Sequence, residues 1–112
     1  DKTGREYYLN NLIRNVENDF EYLLFDCPPS LGIVTVNALC AAQKLLIPLQ
    51  CEYYALEGIA QLLRTYELVK TRLNNELDIL GVLLTMFDKR NNLCHQVAAE
   101  VQKYFQGKVF KT

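Results

Sequence analysis

A single carboxylate follows a short apolar run near the start of the chain. Residues 22–25 are apolar, Asp26 comes next, and Pro28, Pro29 and Gly32 follow within six residues. A hydrated Mg²⁺ ion suits such a carboxylate, because magnesium prefers oxygen ligands and keeps several of its waters. Proline fixes backbone angles and glycine permits close approach, so the turn is suited to contact a phosphate. The residues alone leave open that Asp26 caps the next helix or pairs with a basic side chain.

Two further polar loops follow apolar runs, at residues 50–54 (QCEYY) and 85–90 (TMFDKR). Hydrophobic spacing places these loops in a chain that alternates between strands and helices. Because the carboxyl ends of parallel strands share one edge, we expect all three loops on a single rim. The predicted strands cover residues 22–25, 44–49, 77–86 and 108–111, and the predicted helices cover residues 6–19, 31–42 (capped by Ser30), 55–73 and 93–105.

Length and composition indicate one globular domain over residues 1–112. Half of the residues are hydrophobic, and the net charge of −1 gives no global attraction to nucleic acid. The charge is uneven, since residues 21–87 carry four basic and seven acidic side chains, a net −3. Residues 88–112 carry five basic and two acidic side chains, a net +3, which predicts a mildly basic face. A solvated helix surface is the ordinary alternative.

The cysteines and the histidine do not form a metal-binding pattern. The four cysteines include no C-x-x-C pair, and the one histidine, His95, stands beside Cys94. Zinc sites need a tighter cluster, so we expect buried free thiols, a surface position for His95 and a reducing cytoplasm. No apolar run approaches the length of a membrane span, and we expect no membrane association.

Longer stretches carry a resemblance that single residues do not. The run YLLFDCPPSLGIVTVNALCAAQKLLIPLQCEYYALEG and the later run LLTMFDKRNNLCHQVAAEVQKYFQGKVFKT resemble the ParA/Soj family of partitioning ATPases, in the MinD/ParA branch of P-loop ATPases. The resemblance implies a Rossmann-like three-layer fold with a parallel sheet and flanking helices. It also implies ATP hydrolysis with Mg²⁺, a homodimer, non-specific DNA binding, a ParB-type partner protein and a cytoplasmic, nucleoid-associated location.

The resemblance assigns nucleotide-binding roles to residues in two of the three loops. Asp26 matches the Walker B aspartate, which orients Mg²⁺ through water. Pro28 and Gly32 lie in the segment that matches switch II, which responds to the γ-phosphate. Thr85 and Met86 match the end of the strand that lies beside the adenine base.

The resemblance also assigns a DNA contact. Arg90 matches an arginine implicated in sequence-independent DNA binding by the ATP-bound dimer. The position before it is usually small in the family and is Lys89 here, which adds a positive charge. Residues 50–58 match a loop and helix start near the dimer face.

The chain also departs from the family pattern. It contains no G-x-x-x-x-G-K-[ST] phosphate loop, whose amides and lysine supply most of the grip on the phosphates. We therefore expect a middle-to-C-terminal segment that cannot hydrolyse ATP by itself. Two alternatives are a non-catalytic α/β interaction module and a MinD-like, membrane-associated ATPase that positions the septum.

Overall fold

The computed structural model describes residues 4–28 and 30–111, and it has the predicted α/β architecture with a parallel sheet. The described residues up to 43, with 64–77, form a first compact unit, and residues 44–63 with those from 78 onward form a second. The helices and strands are α1 (Tyr8–Ile13), α2 (Ile33–Ala41), β1 (Lys44–Gln50), α3 (Ala55–Arg72), β2 (Asp78–Thr85) and α4 (Asn92–Tyr104).

The sheet of the second unit consists of β1 and β2, which pair in parallel. Their register runs from Lys44 opposite Asp78 to Gln50 opposite Thr85, so both strands end at the same edge. Parallel neighbours need a long crossover connection, and α3 provides it. The positions of these two strands agree with the sequence prediction to within one residue at each end.

The predicted strand over residues 108–111 is reduced to a single bridge. Val109 pairs in parallel with Val82, on the second edge of β2. The Val82 amide donates to the Lys108 carbonyl at 2.8 Å, and the Phe110 amide donates to the Val82 carbonyl at 2.9 Å. The sheet therefore gains a third backbone neighbour without a third full strand.

Apolar side chains from α3 and α4 cover the sheet and form the core of the second unit. Val82 and Val101 are fully buried in it. The helix α4 begins after Asn91, whose side-chain oxygen accepts a hydrogen bond from the Leu93 amide at 2.8 Å. The buried members of this core are Ile47, Ala55, Ile59, Val82, Val97, Val101 and Phe105.

Side chains in the first unit bond to backbone carbonyls of neighbouring segments. Asn74 donates from Nδ2 to the carbonyls of Leu39, at 3.0 Å, and Ala42, at 2.8 Å. Lys70 donates from Nζ to the carbonyl of Leu77 at 2.6 Å. The Asn74 bonds hold the end of α2 against the segment after α3, and the Lys70 bond ties that segment back to α3 within this unit.

The predicted helix over residues 6–19 is wrong in length. The structure has a 3-10 turn at Arg5–Tyr7, the short α1, and a second 3-10 turn at Glu17–Asp19. Four of the nine residues from 10 to 18 are asparagine, whose side chain competes with helical backbone hydrogen bonds. The apolar spacing is helical here, but the intervening residues do not sustain a helix.

The predicted buried strand over residues 22–25 is also wrong. These residues belong to no strand, and the side chains of Tyr22 and Leu24 are 80% and 93% exposed. A strand needs a hydrogen-bonded neighbour, and no described residue forms a ladder with this segment. The segment therefore presents apolar side chains to solvent.

Candidate functional site

The carboxyl ends of β1 and β2 bring two of the predicted loops to one edge of the sheet. Gln50 and Thr85 are register partners at the last position of the two strands. The Gln50 side chain donates from Nε2 to the Met86 sulfur at 2.7 Å. The structure thus brings Thr85 and Met86 to one sheet edge beside the loop that begins after Gln50, as predicted for two of the three loops.

Met86 has an unusual backbone conformation. Its φ of 53° makes it the one non-glycine residue with positive φ among the described residues, and its side chain is 80% exposed. A left-handed conformation costs roughly 1–2 kcal/mol for a residue with a Cβ. The conformation turns the chain sharply out of β2 and leaves the Met86 side chain in the open at the strand end.

A turn after this strand end holds Arg90 in a fork of hydrogen bonds. The Arg90 guanidinium donates from Nε to Asp88 Oδ1 at 3.1 Å and from Nη2 to Asp88 Oδ2 at 3.4 Å. The Arg90 amide also donates to Asp88 Oδ1 at 2.9 Å. These bonds to Arg90 hold the pKa of the Asp88 carboxyl below its ordinary value. The Arg90 side chain is nevertheless 92% exposed, so it is paired but accessible.

His95 fixes the same turn from the first helical turn of α4. Its Nε2 donates to the Lys89 carbonyl at 2.7 Å. Its ring meets the Phe87 ring edge-on, with centroids 5.4 Å apart and planes at 89°. His95 is exposed, as predicted, but sequence reasoning missed its role in shaping the turn that presents Lys89 and Arg90.

Sequence reasoning also missed Asp88. The spacing D-x-R holds a usable signal, because an aspartate side chain commonly accepts from the backbone two residues later. That signal predicts the bond to the Arg90 amide, and the guanidinium fork follows once the amide bond fixes the carboxylate.

The remaining predicted nucleotide contacts lie in the first unit. Asp26 and Pro28 are exposed, and no ion pair or side-chain hydrogen bond of the described residues involves the Asp26 carboxylate. Gly32 is the N-terminal flanking residue of α2, and no side chain caps that helix. The predicted Ser30 cap is wrong, since Ser30 instead accepts from the Thr35 hydroxyl through its carbonyl at 2.6 Å.

The chemistry of this segment fits an outer-sphere magnesium contact and no direct cage. Asp26 offers one accessible carboxylate, which suits a hydrated ion. No cluster of three or more potential metal ligands occurs in the part of the chain that the structure describes. The roles of Asp26, Pro28, Gly32, Thr85 and Met86 at a nucleotide, and of Lys89 and Arg90 at DNA, stay predictions.

The cysteines are free thiols, as expected, but not all are buried. Cys40 and Cys94 are buried and Cys51 is half-buried, whereas Cys27 is exposed because the segment before it packs in no strand. Burial, and next a hydrogen bond with Cys94, raise the pKa of Cys51 to about 11. Cys51 is therefore overwhelmingly a thiol near neutral pH.

Comparison with known proteins supplies the family. A profile described as an AAA domain matches residues 1–79. The chain is 54% identical to the chromosome partitioning protein ParA of Myxococcus xanthus, over 96% of this chain and 38% of that protein. It is 55% identical to the sporulation initiation inhibitor protein Soj of Bacillus subtilis, over 97% of this chain and 43% of that protein. The chain thus spans about two-fifths of the length of these relatives.

A solved structure has the same fold. The cobyrinic acid a,c-diamide synthase of Mycobacterium smegmatis, with bound ATP analog and magnesium, superimposes with a TM-score of 0.84 at 39% identity. The match covers 94% of this chain and 42% of that protein. Among the described residues, no helix combines the length and apolar character that crossing a bilayer requires. The chain belongs to the AAA domain family and is similar, over nearly its whole length, to the ParA/Soj-type partitioning proteins.

Proposed function

We propose that this chain supplies the Walker B carboxylate, the switch segment and a DNA-contacting turn of an ATP-hydrolysing partitioning protein of ParA type. The observation that carries the proposal is identity of 54–55% with ParA and Soj proteins over 108 and 109 of the 112 residues. Similarity spread over the whole chain, rather than confined to one motif, supports a shared site as well as a shared fold.

On the nucleotide side, the first unit offers groups that suit a magnesium–phosphate ligand. The Asp26 carboxylate is accessible for a water of the ion. The uncapped start of α2 at Gly32 leaves first-turn amides for a phosphate oxygen. Mg²⁺, when bound, neutralises charge that develops on the phosphates. Within the second unit, taken by itself, Met86 is exposed at the end of β2 and is a candidate contact for a nucleotide base.

On the DNA side, the turn after β2 presents two cations. Arg90 and Lys89 are both exposed, and the hydrogen bonds of Asp88 and His95 define the backbone between them. Contacts to phosphates make binding independent of sequence and steeply dependent on salt. In the proposed protein, ATP favours a homodimer on the cytoplasmic nucleoid, and pairing doubles the DNA contacts until a ParB-type partner stimulates hydrolysis.

The nucleotide role is tested by restoring a phosphate loop. A chimera is made in which this chain replaces the matching segment of the Bacillus subtilis relative. Its ATP hydrolysis is measured with Mg²⁺. We expect hydrolysis by the chimera, loss of hydrolysis in Asp26→Ala, and no hydrolysis by the 112-residue chain alone. Asp19→Ala, which removes another exposed carboxylate of the first unit, is the matched control. Retained hydrolysis in Asp26→Ala would make Asp26 a structural residue.

The DNA role is tested in the same chimera. Arg90→Ala is expected to weaken ATP-dependent DNA binding, to leave nucleotide binding intact, and to reduce the salt slope by about 0.9 for the lost phosphate contact. Arg64→Ala removes an exposed arginine of α3 and controls for net charge. An unchanged affinity across the salt series would remove Arg90 from the interface.

A further inference from the structure

Two of the guanidinium nitrogens that Arg90 can use for a forked contact are already engaged. Its Nε and Nη2 donate to the two carboxylate oxygens of Asp88, at 3.1 and 3.4 Å. A bidentate contact to a phosphate uses the same pair of parallel donors. A phosphate that takes this edge of the guanidinium must therefore displace the carboxylate from it.

The backbone keeps the carboxylate where it competes. Asp88 Oδ1 also accepts from the Arg90 amide at 2.9 Å, and the Asp88 carbonyl accepts from the Asn91 amide at 3.0 Å, directly before α4. The His95 bond to the Lys89 carbonyl holds the intervening peptide. The Arg90 side chain is 92% exposed and can rotate, whereas Asp88 can leave only by giving up a backbone bond.

The charge of the turn depends on the same residue. Lys89 and Arg90 contribute +2 and Asp88 contributes −1, so residues 88–90 carry a net +1. Another exposed ion pair, Lys103 with Glu100 at 3.2 Å, lies on α4 and involves no residue of the turn. Asp88 is thus the one carboxylate bonded to a cation of this turn among the described residues.

We infer that Asp88 is a built-in competitor of phosphate for Arg90 and sets how tightly the turn holds a nucleic-acid backbone. The inference rests on the proposed DNA role of Arg90 and adds a residue that regulates it. Asp88 lowers affinity by occupying the guanidinium fork and by cancelling one charge. It also keeps Arg90 docked on its own chain when no phosphate is present.

The test is the ATP-dependent DNA affinity of the same chimera, measured by fluorescence anisotropy with a short labelled duplex between 50 and 200 mM salt. Asp88→Asn keeps an oxygen that accepts from the Arg90 amide but removes the charge. We expect it to bind about two- to fivefold more tightly than the unaltered chimera at low salt, with a salt slope steeper by less than the roughly 0.9 of a whole phosphate contact, because Arg90 already makes that contact when Asp88 is present. A merely structural role for Asp88 would not steepen the slope.

Two further proteins decide whether the gain acts through Arg90. Glu100→Gln removes the same charge from an ion pair of α4 and is expected to change affinity by less than about 1.5-fold. In an Arg90→Ala background, Asp88→Asn is expected to give no gain. Circular dichroism verifies that all variants are folded like the unaltered chimera.

Each other result overturns the inference in a distinguishable way. Equal or weaker binding by Asp88→Asn, with Arg90→Ala still defective, rejects competition and keeps the DNA role. A gain that persists without Arg90 rejects the fork and leaves a general charge effect. Arg90→Ala without any defect rejects the DNA role itself, and the absence of ATP-dependent binding by the chimera and all its variants rejects the DNA role and the inference together.

Discussion

Two apolar runs of similar composition differ in structure: one forms a strand with a buried side chain, and the other forms no strand. Residues 22–25 (YLLF) and residues 45–49 (LLIPL) both read as strands buried on two faces. The second run forms most of β1, and its Ile47 is 4% exposed in the core of the second unit. In the first run, Leu24 is 93% exposed and no strand forms.

The difference lies in the partners, because the local patterns are alike. The helix α3 returns the chain so that β2 pairs with every residue of β1. The ladder satisfies the backbone groups of β1 that face β2, and α3 and α4 cover the strands. Residues 22–25 receive no ladder from the residues that the structure describes. An apolar run therefore indicates that a segment can form a strand. Whether the strand forms depends on a second segment that pairs with it.

The largest expected effect is on the free energy of unfolding, when one aliphatic side chain in each of the two runs is truncated to alanine. Ile47→Ala removes buried contacts of the core and is expected to lower the free energy of unfolding by about 2–5 kcal/mol. Leu24→Ala removes a side chain that is 93% exposed and is expected to change it by less than about 0.5 kcal/mol. Urea unfolding followed by circular dichroism measures both. A comparable loss in Leu24→Ala would mean that residues 22–25 are packed in solution.

Residues 108–111 lie between these two cases, because they form a single bridge to β2 instead of a strand. The space beside Gly81 allows this bridge to form. A Cβ on Gly81 would lie 2.6 Å from the Lys108 carbonyl oxygen and 2.6 Å from Cε2 of Phe110. Phe110 can turn aside, but Lys108 presents backbone. Gly81→Ala is therefore expected to lower the free energy of unfolding by about 1–3 kcal/mol.

The same variant should release the bridge at Val109, which hydrogen exchange at the Phe110 amide would detect because that amide donates to Val82. Gly58→Ala is the control, since a Cβ there meets nothing within 4 Å. It lies in α3, where alanine is expected to stabilise by roughly 0.5–1 kcal/mol. Full protection at Phe110 in Gly81→Ala would show that the close approach is not what limits this edge.

The sequence predicted correctly the helices and strands that pack against one another in the second unit. β1, β2, α3 and α4 lie within about one residue of their predicted ends, because their apolar spacing agrees with a parallel pair covered by helices. The pattern at residues 22–25 failed because pairing is not a local property. The helix over residues 6–19 failed because periodicity ignored the asparagines between the apolar positions.

The position of two of the three candidate loops was predictable, but their detailed geometry was not. Two loops were placed at one strand edge because parallel strands end together, and the register of Gln50 with Thr85 confirms that placement. The fork between Asp88 and Arg90 depends on side-chain rotamers, and the bond from His95 to Lys89 depends on how the turn closes. The D-x-R spacing predicts the bond from the Arg90 amide to Asp88, but no sequence pattern predicts the bond from His95 to Lys89.

The smallest expected effect compares the cysteines that follow the two apolar runs. Cys27 comes two residues after residues 22–25 and is exposed, whereas Cys51 follows β1 directly and is half-buried. Burial first, and then the Asp26 charge, raise the pKa of Cys27, and burial with the Cys94 hydrogen bond raises that of Cys51 to about 11. Because the thiolate is the nucleophile, iodoacetamide at pH 8 is expected to alkylate Cys27 before Cys51.

Mass spectrometry of the alkylated chain tests the environment of Cys51 directly. Its rate is expected to rise about tenfold per pH unit until pH approaches its pKa of about 11. Cys94→Ala removes a bond that raises this pKa and should speed alkylation of Cys51, whereas Cys40→Ala, in the first unit, should not.

The unfolded thiol ionises near its ordinary pKa of 9.0, so the stability from the protonated Cys51 is present below pH 9 and lost towards pH 11. Equal rates for Cys27 and Cys51 at pH 8 would show that the end of β1 shields its cysteine no better than the unpaired run does.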